Sequence, residues 1–452
     1  MPGKNVVILD GTASSDPNLL PALSILSEVL KRDGAQVEIF PLREMKLAHC
    51  LGCFGCLVKT PGMCVEADAG REIAKACIRS DITVFFTPVT FGGYSPELKR
   101  MLDRFIQLIS PYFQMEHGEV HHPPRYAQRP RLMMVGVQRQ PNPQEANIFK
   151  TLAGRNAINF HPPSYTAEVV LATDEEAALR GRIEALVTRS DALPFGEAAA
   201  RLMPEPVSFH RAAGPATARR ALLIVGSPKA QPPSTSSLLG SYVLEHLEAR
   251  GWETETFTLR ASLNRPEGEG ELLSSVERAG LILLAFPLYA DALPYLVTRA
   301  LAVIAAHRGA GSDPAPQRLV GIVNSGFPEA HQSSLALAIC REFAAQTGFT
   351  WAGGLSLGGG GMIGDQPLSV AKRSGPPVNH VIAALKMTAI ALAYGFPVPA
   401  EAVTMISKSP IPFIPSSLWR WMYVKMGGRS FEKEAAKHGV SKDQLRAQPY
   451  AA

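Results

Sequence analysis

The chain begins its first apolar run with Asn5-Val6-Val7-Ile8-Leu9-Asp10, and a turn of small and hydroxyl residues, Gly11-Thr12-Ala13-Ser14, follows directly. A short apolar run ended by such a turn is typical of a buried parallel strand. Amphipathic stretches separate this run from the apolar runs that follow it. The alternation predicts a parallel sheet covered by helices on both faces.

The first half contains five predicted strands, separated by predicted helices. The strands are Asn5–Asp10, Ala35–Pro41, Ile82–Thr87, Arg131–Val137 and Thr166–Leu171. The helices are Leu19–Arg32, Asp68–Ser80, Pro96–Ile109, Gln144–Asn156 and Glu175–Thr188. This order is that of a three-layer, doubly wound α/β domain.

The same order then starts again. The strands are Ala221–Val225, Glu253–Leu259, Leu281–Phe286, Leu319–Val323 and Thr350–Leu355. The helices between them include Ser236–Arg250, Glu271–Ala279 and Leu293–His307. A repeat of about 200 residues is too long for a solenoid, so it indicates a duplicated domain. The predicted segments are a first domain over 1–192, a linker over 193–219, a second domain over 220–400 and a basic, aromatic extension over 401–452.

Charge and hydrophobicity along the chain indicate which kinds of partner and location to expect. The net charge is only +5 over 452 residues and no block of Lys or Arg stands out, so we expect no nucleic-acid partner. The amino terminus lacks the pattern of a signal peptide, which predicts a cytoplasmic protein. The apolar stretch Val378–Pro399 is interrupted by Asn379, His380 and Lys386, so we predict a buried helix and no transmembrane segment.

The second half carries a candidate phosphate-binding loop after its first strand. Its residues are Gly226, Ser227, Lys229, Ser234, Ser236 and Ser237. Hydroxyls, backbone N–H groups and a positive helix end together can bind the phosphate of flavin mononucleotide (FMN). The same serines can instead cap the helix, and the spacing leaves both interpretations open.

Two later loops are expected at the same edge of the second sheet, because the carboxyl ends of parallel strands lie together. They contribute Pro287, Leu288 and Tyr289, and then Asn324, Ser325 and Gly326. An aromatic side chain beside a flat ligand can stack on it, although Tyr289 can equally pack on the neighbouring helix. The matching candidates in the first half are Gly11, Thr12, Ser14, Pro88, Val89, Thr90, Phe91 and Gly92.

Four of the six cysteines lie close together, at Cys50, Cys53, Cys56 and Cys64. Three closely spaced thiolates and a fourth from a loop suit a [4Fe–4S] cluster. Four thiolates also suit a structural zinc ion, and free or redox-paired thiols are a third interpretation. We expect Cys77 and Cys340 to be core residues.

These motifs resemble the NADPH-dependent FMN reductase superfamily, and the first half resembles its iron–sulfur flavoprotein branch. The resemblance depends on the cysteine run, on Asp81–Val89 and on Ser95–Arg104, and in the second half on Gly226–Lys229, Ser234–Ser237 and Pro287–Tyr289. It implies two flavodoxin-like domains with bound FMN, in a chain that forms homodimers. It also implies a nicotinamide nucleotide, NAD(P)H, or a ferredoxin-like protein as electron donor, and a small organic molecule or a redox protein as acceptor.

Three further features carry weaker expectations. His49, beside the first cysteine, can donate a hydrogen bond to the cysteine site or be solvated. Asp103 and Arg104 are expected to form surface ion pairs. The extension with Trp419 and Trp421 can lie on a membrane surface, cover a flavin or partner domain, or pack on its own domain, and we expect the last.

Overall fold

The computed structural model describes residues 3–189, 218–230, 233–309, 315–368, 378–409 and 414–451. Contacts divide the chain into two compact units. The first comprises Met1–Met203 and Met422–Ala452, and the second comprises Pro204–Trp421. The predicted linker, 193–219, lies almost wholly outside the described residues, and the predicted segment boundaries remain predictions.

The first unit alternates strands and helices along the chain. Its strands are β1 (Asn5–Asp10), β2 (Gln36–Pro41), β3 (Ile82–Pro88), β4 (Gln114–Glu116), β5 (Glu119–His121), β6 (Arg131–Gln138) and β7 (Tyr165–Leu171). Its helices are α1 (Leu20–Arg32), α2 (Gly55–Val58), α3 (Ala69–Arg79), α4 (Pro96–Leu102), α5 (Pro143–Phe160) and α6 (Glu176–Arg189). Five of the strands form a parallel sheet in the order β2-β1-β3-β6-β7, and β4 and β5 form a small hairpin.

The second unit repeats this arrangement. Its strands are β8 (Arg220–Val225), β9 (Glu253–Thr258), β10 (Leu281–Pro287), β11 (Arg318–Asn324) and β12 (Thr350–Leu357). Its helices are α7 (Thr235–Glu248), α8 (Leu259–Ser262), α9 (Gly268–Arg278), α10 (Tyr295–Gly309), α11 (Ser334–Thr347), α12 (Asn379–Ala393) and α13 (Ala400–Ile406). The last helix, α14 (Ser416–Ala436), contributes its final fifteen residues to the first unit.

The second sheet has the order β12-β11-β10-β8-β9, which is the first sheet's order read from the other edge. In both units the strands, numbered along the unit, run 2-1-3-4-5, the order of the flavodoxin-like fold. The predicted fold class, two tandem flavodoxin-like α/β domains with five-stranded parallel sheets, is therefore confirmed. Every residue of the central strand β3 is buried, as its unbroken apolar run predicts.

One glycine in each unit allows the first strand to turn close to the helix that follows the third strand. A Cβ on Gly11 would lie 2.7 Å from Cβ of Leu98, and one on Gly226 would lie 2.9 Å from Cβ of Phe286 and overlap Val297. Both glycines donate equivalent backbone hydrogen bonds of 2.8 Å to the central strand. Their first role is therefore close packing of the backbone.

The structure corrects one helix predicted from the sequence and confirms another. The stretch predicted as one helix over Pro96–Ile109 is α4 followed by a 3₁₀ helix, Asp103–Leu108, a common end for a helix. The stretch Val378–Pro399 contains α12, whose Val381, Leu385 and Leu392 are buried in the second core, as predicted. Within the described residues, no helix has both the length and the apolar character needed to cross a membrane.

Candidate functional site

Helix α7 of the second unit begins with two serines that bond each other. The Ser234 hydroxyl accepts from the backbone N–H of Ser237 at 3.1 Å, and the Ser237 hydroxyl accepts from the backbone N–H of Ser234 at 2.9 Å. This reciprocal arrangement is a capping box. The capping interpretation therefore describes these two hydroxyls, and both are engaged within the protein.

The turn between β8 and α7 presents a cation beside the positive end of that helix. Lys229 is exposed, and within the described residues its ammonium group has no hydrogen-bond or ion-pair partner. Its backbone N–H donates weakly to the Ser227 hydroxyl, at 3.4 Å. Because the helix end and the lysine both attract negative charge, the turn is suited to an anion such as a phosphate.

Three loops of the second unit meet at this edge through Asn324. The Ser236 hydroxyl donates to Oδ1 of Asn324 at 2.7 Å, and the backbone N–H of Leu288 donates to the Asn324 carbonyl at 2.8 Å. The Ser325 backbone N–H bonds the carbonyl of Leu357 at 2.9 Å, while Gly326 is exposed with open space around its Cα. The structure thus brings together the predicted residues of all three loops, and Asn324 fixes their spacing.

The loop after β10 ends in a tight turn. Tyr289 and Ala292 exchange backbone hydrogen bonds of 3.0 and 3.1 Å across Ala290 and Asp291. Both intervening residues have positive φ, 48° and 58°, which is the signature of a type I′ turn and costs energy in residues other than glycine. Pro287, Leu288 and Tyr289 are half-buried, so the Tyr289 ring keeps an accessible part.

In the first unit an internal carboxylate occupies the corresponding loop. Asp10 is buried and accepts from the Thr12 backbone N–H at 2.9 Å and from the Thr12 hydroxyl at 2.7 Å. It also forms an ion pair with Arg43, which donates to the Thr12 hydroxyl at 2.8 Å. Only Ser14 of this predicted loop is exposed. The donors that a phosphate would need are therefore already bonded to Asp10.

More acidic residues lie near this loop. Asp16 forms an ion pair with Arg139 across the same edge. Burial raises the pKa of Glu97, and the neighbouring carboxylates of Asp16 and Asp10 raise it further, against the opposing effect of Arg100. Each of these carboxyl groups therefore has an arginine near it: Arg43 beside Asp10, Arg139 beside Asp16 and Arg100 within electrostatic range of Glu97.

The turn after β3 has the same form as its counterpart in the second unit but is filled by protein. Phe91 and Gly92 have φ values of 55° and 84°, and Phe91 is buried. A Cβ on Gly92 would lie only 2.5 Å from Cβ of Ile148 in α5. Pro88 ends β3, Val89 bonds the carbonyl of Val137 at 2.9 Å, and Thr90 pairs with Gly93 across the turn.

The four clustered cysteines lie in the loop after β2 and around α2. Cys56 is buried, Cys50 and Cys64 are half-buried, and Cys53 is exposed. Burial raises the pKa of Cys50 to about 12, and the thiols of Cys64 and Cys53 add to that rise. Burial also raises the pKa of Cys56, again with a contribution from the other three thiols. The four sulfurs are therefore electrostatic neighbours.

No group of three or more His, Cys, Asp or Glu side chains in the described part of the chain is arranged around a single metal ion. Cys77 and Cys340 are buried, at 2% and 0% exposure, as expected of core residues. His49 adjoins Cys50 and is half-buried.

Buried charges surround the cysteine loop. Arg104 is fully buried and bonds Asp68 at 2.6 Å, and the nearby Cys64 thiol helps to raise the pKa of its guanidinium. Asp103 is also buried, pairs with Lys99 and lies within electrostatic range of Cys50. The expectation that Asp103 and Arg104 form surface ion pairs was wrong, because the 3₁₀ turn directs both side chains into the protein.

Sequence reasoning missed two further residues next to the thiols. The Gln107 side-chain oxygen, Oε1, accepts from the backbone N–H of Cys64 at 2.9 Å, and Gln107 is completely buried. Arg125 is buried within electrostatic range of Cys56. Neither residue is near a cysteine of the cluster in the sequence, and Gln107 is 43 positions from Cys64, so no local signal marked them.

Comparison with known proteins places these features in a family context. Residues 5–140 match the family model described as NADPH-dependent FMN reductase. An iron–sulfur flavoprotein of Methanocaldococcus jannaschii is 29% identical over 99 residues, which are 22% of this chain and 50% of that protein. An iron–sulfur flavoprotein of Archaeoglobus fulgidus is 30% identical over 87 residues, which are 19% of this chain and 42% of that protein. The chain thus spans about half the length of the curated relatives it matches.

Among solved structures, the NAD(P)H:quinone oxidoreductase of Methanothermobacter marburgensis aligns with 42% of this chain and 98% of its own, at 14% identity and a TM-score of 0.33. An FMN-dependent NADH-azoreductase of Bacillus anthracis aligns with 38% of this chain and 99% of its own, at 13% identity and a TM-score of 0.28. The flavodoxin-like fold is assigned from the strand order of the two sheets and not from these identities and TM-scores.

Proposed function

Since residues 5–140 belong to the NADPH-dependent FMN reductases, a family of oxidoreductases, we propose that this chain is an FMN-dependent oxidoreductase that takes electrons from NAD(P)H. In this proposal the second unit binds FMN, and the four cysteines of the first unit hold a [4Fe–4S] cluster. Electrons leave to a small organic acceptor or a redox protein. A ferredoxin-like donor and a homodimeric assembly remain compatible with this proposal.

The contrast between the two phosphate loops carries the assignment of FMN to the second unit. In the first unit the Asp10 carboxylate engages the Thr12 N–H and hydroxyl groups and the Arg43 guanidinium. In the second unit the equivalent strand end is Val225, which has no charge, and the Lys229 ammonium is available among the described residues. The second arrangement offers an uncompensated positive charge to a phosphate dianion, whereas in the first the guanidinium and the Thr12 donors are already engaged by Asp10.

The chemistry of the donor set supports the cluster. The thiols of Cys53 and Cys64 lie within electrostatic range of Cys50 and Cys56, and the four together supply the number of sulfur ligands that a [4Fe–4S] cluster takes from protein. The buried guanidinium groups of Arg104 and Arg125 offset the negative charge that such a group brings. Structural zinc is the alternative for the same thiols, and metal analysis separates the two.

FMN, when bound, supplies the conversion between hydride transfer and single-electron transfer. The residues of the chain place and orient it: the α7 amino terminus and Lys229 bind the phosphate, and Asn324 holds the surrounding loops together. In this proposal the half-buried residues Leu288 and Tyr289 border the flavin ring.

The test is to reconstitute the full chain with FMN, iron and sulfide under anaerobic conditions and to measure NAD(P)H oxidation with a quinone acceptor. The proposal expects FMN-dependent turnover. FMN binding without iron, and with stoichiometric zinc, would favour an FMN or quinone reductase with a structural zinc site. Failure to bind FMN at all would favour a non-catalytic scaffold.

A further inference from the structure

The last residues of the chain, 445–451, pack across one side of the cysteine loop, and we call them the C-terminal strap. Two arginines, the buried Arg125 and the exposed Arg79, hold its backbone. Arg125 donates to the carbonyls of Leu445 and Ala447 at 2.9 and 2.8 Å. Arg79 donates to the carbonyls of Tyr450 and Ala451 at 3.2 and 2.8 Å. Four such bonds give the strap a defined position in the first unit.

The strap contacts the cysteine loop directly. Leu445 is fully buried in a small apolar cluster with Cys56, Leu57 and Val58. Gly62, two residues before Cys64, has a φ of 86°, and a Cβ there would lie 2.5 Å from Cδ of Pro449. Gly62 therefore both makes the turn and leaves the space that the strap occupies.

A buried glutamine connects the strap to Cys64. Oε1 of Gln107 accepts two hydrogen bonds, from the Cys64 backbone N–H at 2.9 Å and from the Tyr450 hydroxyl at 3.0 Å. Nε2 of Gln107 donates to the Arg104 carbonyl at 3.1 Å. The Cys64 N–H can only donate and the Arg104 carbonyl can only accept, so these two groups fix the amide orientation, and the Tyr450 hydroxyl holds the same oxygen with a second hydrogen bond.

We propose that Tyr450 is a positioning residue of the four-cysteine site, acting through Gln107 on Cys64. The strap closes the site on this side, while Cys53 stays exposed. This inference rests on the proposed function only for the identity of the group that the thiols hold. The hydrogen bonds that connect Tyr450 to Cys64 through Gln107 are made by the chain itself. Their effect on Cys64 can therefore be tested with the metal site loaded or empty.

The test measures the alkylation rate of each cysteine by iodoacetamide and mass spectrometry, in the full chain before and after removal of metal with a chelator. Tyr450→Phe removes only the hydroxyl that bonds Gln107. The matched control is Tyr112→Phe, which removes a hydroxyl that bonds Glu432 at 3.2 Å and also interacts with Arg446 of the strap, so it removes a contact of the strap that does not run through Gln107. Cys64 reacts when its segment opens locally, so the loss of one hydrogen bond that holds the segment closed corresponds to roughly a two- to twelvefold rise in its alkylation rate.

We expect Tyr450→Phe to raise the rate of Cys64 in the metal-free chain by roughly fivefold and to leave Cys53 unchanged. Tyr112→Phe is expected to leave Cys64 within about twofold of the wild type. An unchanged Cys64 rate in Tyr450→Phe overturns the proposal. So does an equal rise at Cys53 or an equal effect of Tyr112→Phe, because either result indicates general loosening.

A second measurement uses the metal-loaded protein. The rate at which EDTA removes the metal, followed by absorbance or by metal analysis, is expected to rise in Tyr450→Phe and to stay at the wild-type value in Tyr112→Phe. A rise in both variants overturns the positioning role. If the purified chain holds no metal, the cluster assignment within the proposed function fails, whereas the alkylation rates still decide whether Tyr450 positions Cys64.

Discussion

Replacing Lys229 by Gln tests the assignment of FMN to the second unit. The ammonium group is exposed beside the amino terminus of α7 and has no partner within the described residues. A hydrogen bond to a charged group contributes about 1.5 to 3 kcal/mol. Its loss is therefore expected to raise the Kd for FMN by about 10- to 150-fold. The fold should be unaffected, because the exposed Lys229 side chain has no hydrogen bond or ion pair to lose among the described residues.

The assay is a titration of flavin fluorescence with wild-type and variant chains. Riboflavin, which lacks the phosphate, serves as the ligand control, and its affinity is expected to be the same for both proteins. Arg43→Gln in the first unit serves as the protein control, because Arg43 is paired with Asp10 and is not expected to contact FMN.

Two results would refute this reasoning. An FMN affinity within twofold of wild type in Lys229→Gln would remove Lys229 from the phosphate site. A loss of FMN affinity in Arg43→Gln would place the flavin in the first unit, and would mean that phosphate displaces Asp10 from its hydrogen bonds.

Three further outcomes are expected in chemical denaturation. Gly226→Ala should destabilise the second unit by about 1 to 3 kcal/mol, because its new Cβ overlaps packed side chains, whereas Gly270→Ala, in α9 with open space around it, should be neutral or stabilising. Arg104→Met should cost about 1.5 to 3 kcal/mol, because it removes a charged hydrogen bond from the half-buried carboxylate of Asp68, while Arg180→Gln, in an exposed pair, should have no measurable effect. Burial lowers the pKa of His122 from 6.5 to about 4. Between these pH values the unfolded chain binds a proton at His122 that the folded chain does not bind. The free energy of unfolding should therefore fall by up to about 3 kcal/mol as the pH falls from 6.5 to 4. His122→Phe should remove that loss, and an unchanged pH profile would contradict it.

The strands and their order followed from the sequence because each is a short apolar run with a turn behind it. The predicted strand Asn5–Asp10 agrees with the structure at both ends, and the strand after it begins one residue later than predicted. Parallel strands buried on both faces leave a strong local pattern of this kind. The 3₁₀ turn at Asp103–Leu108 left no such local pattern in the sequence, because side chains such as Arg104 and Gln107 are held by partners distant in sequence.

The candidate sites were predictable where their residues are neighbours in the chain, as in the run from Cys50 to Cys64. They were not predictable where folding brings distant residues together. Gln107 is 43 positions from Cys64, and Tyr450 is 343 positions from Gln107. The absence of a basic residue near Gly11 was visible, but the ion pair between Asp10 and Arg43 was not, because Arg43 comes from the loop after the second strand.

The central claim is that one chain combines an FMN site in the second unit with a four-thiolate cluster in the first. The most direct test is an anaerobic visible spectrum with flavin, iron, sulfide and zinc quantified on the same sample. The account predicts flavin bands over a broad shoulder, with about one FMN and about four irons per chain. Flavin with zinc and no iron would contradict the cluster, and a protein without flavin would contradict the proposed function itself.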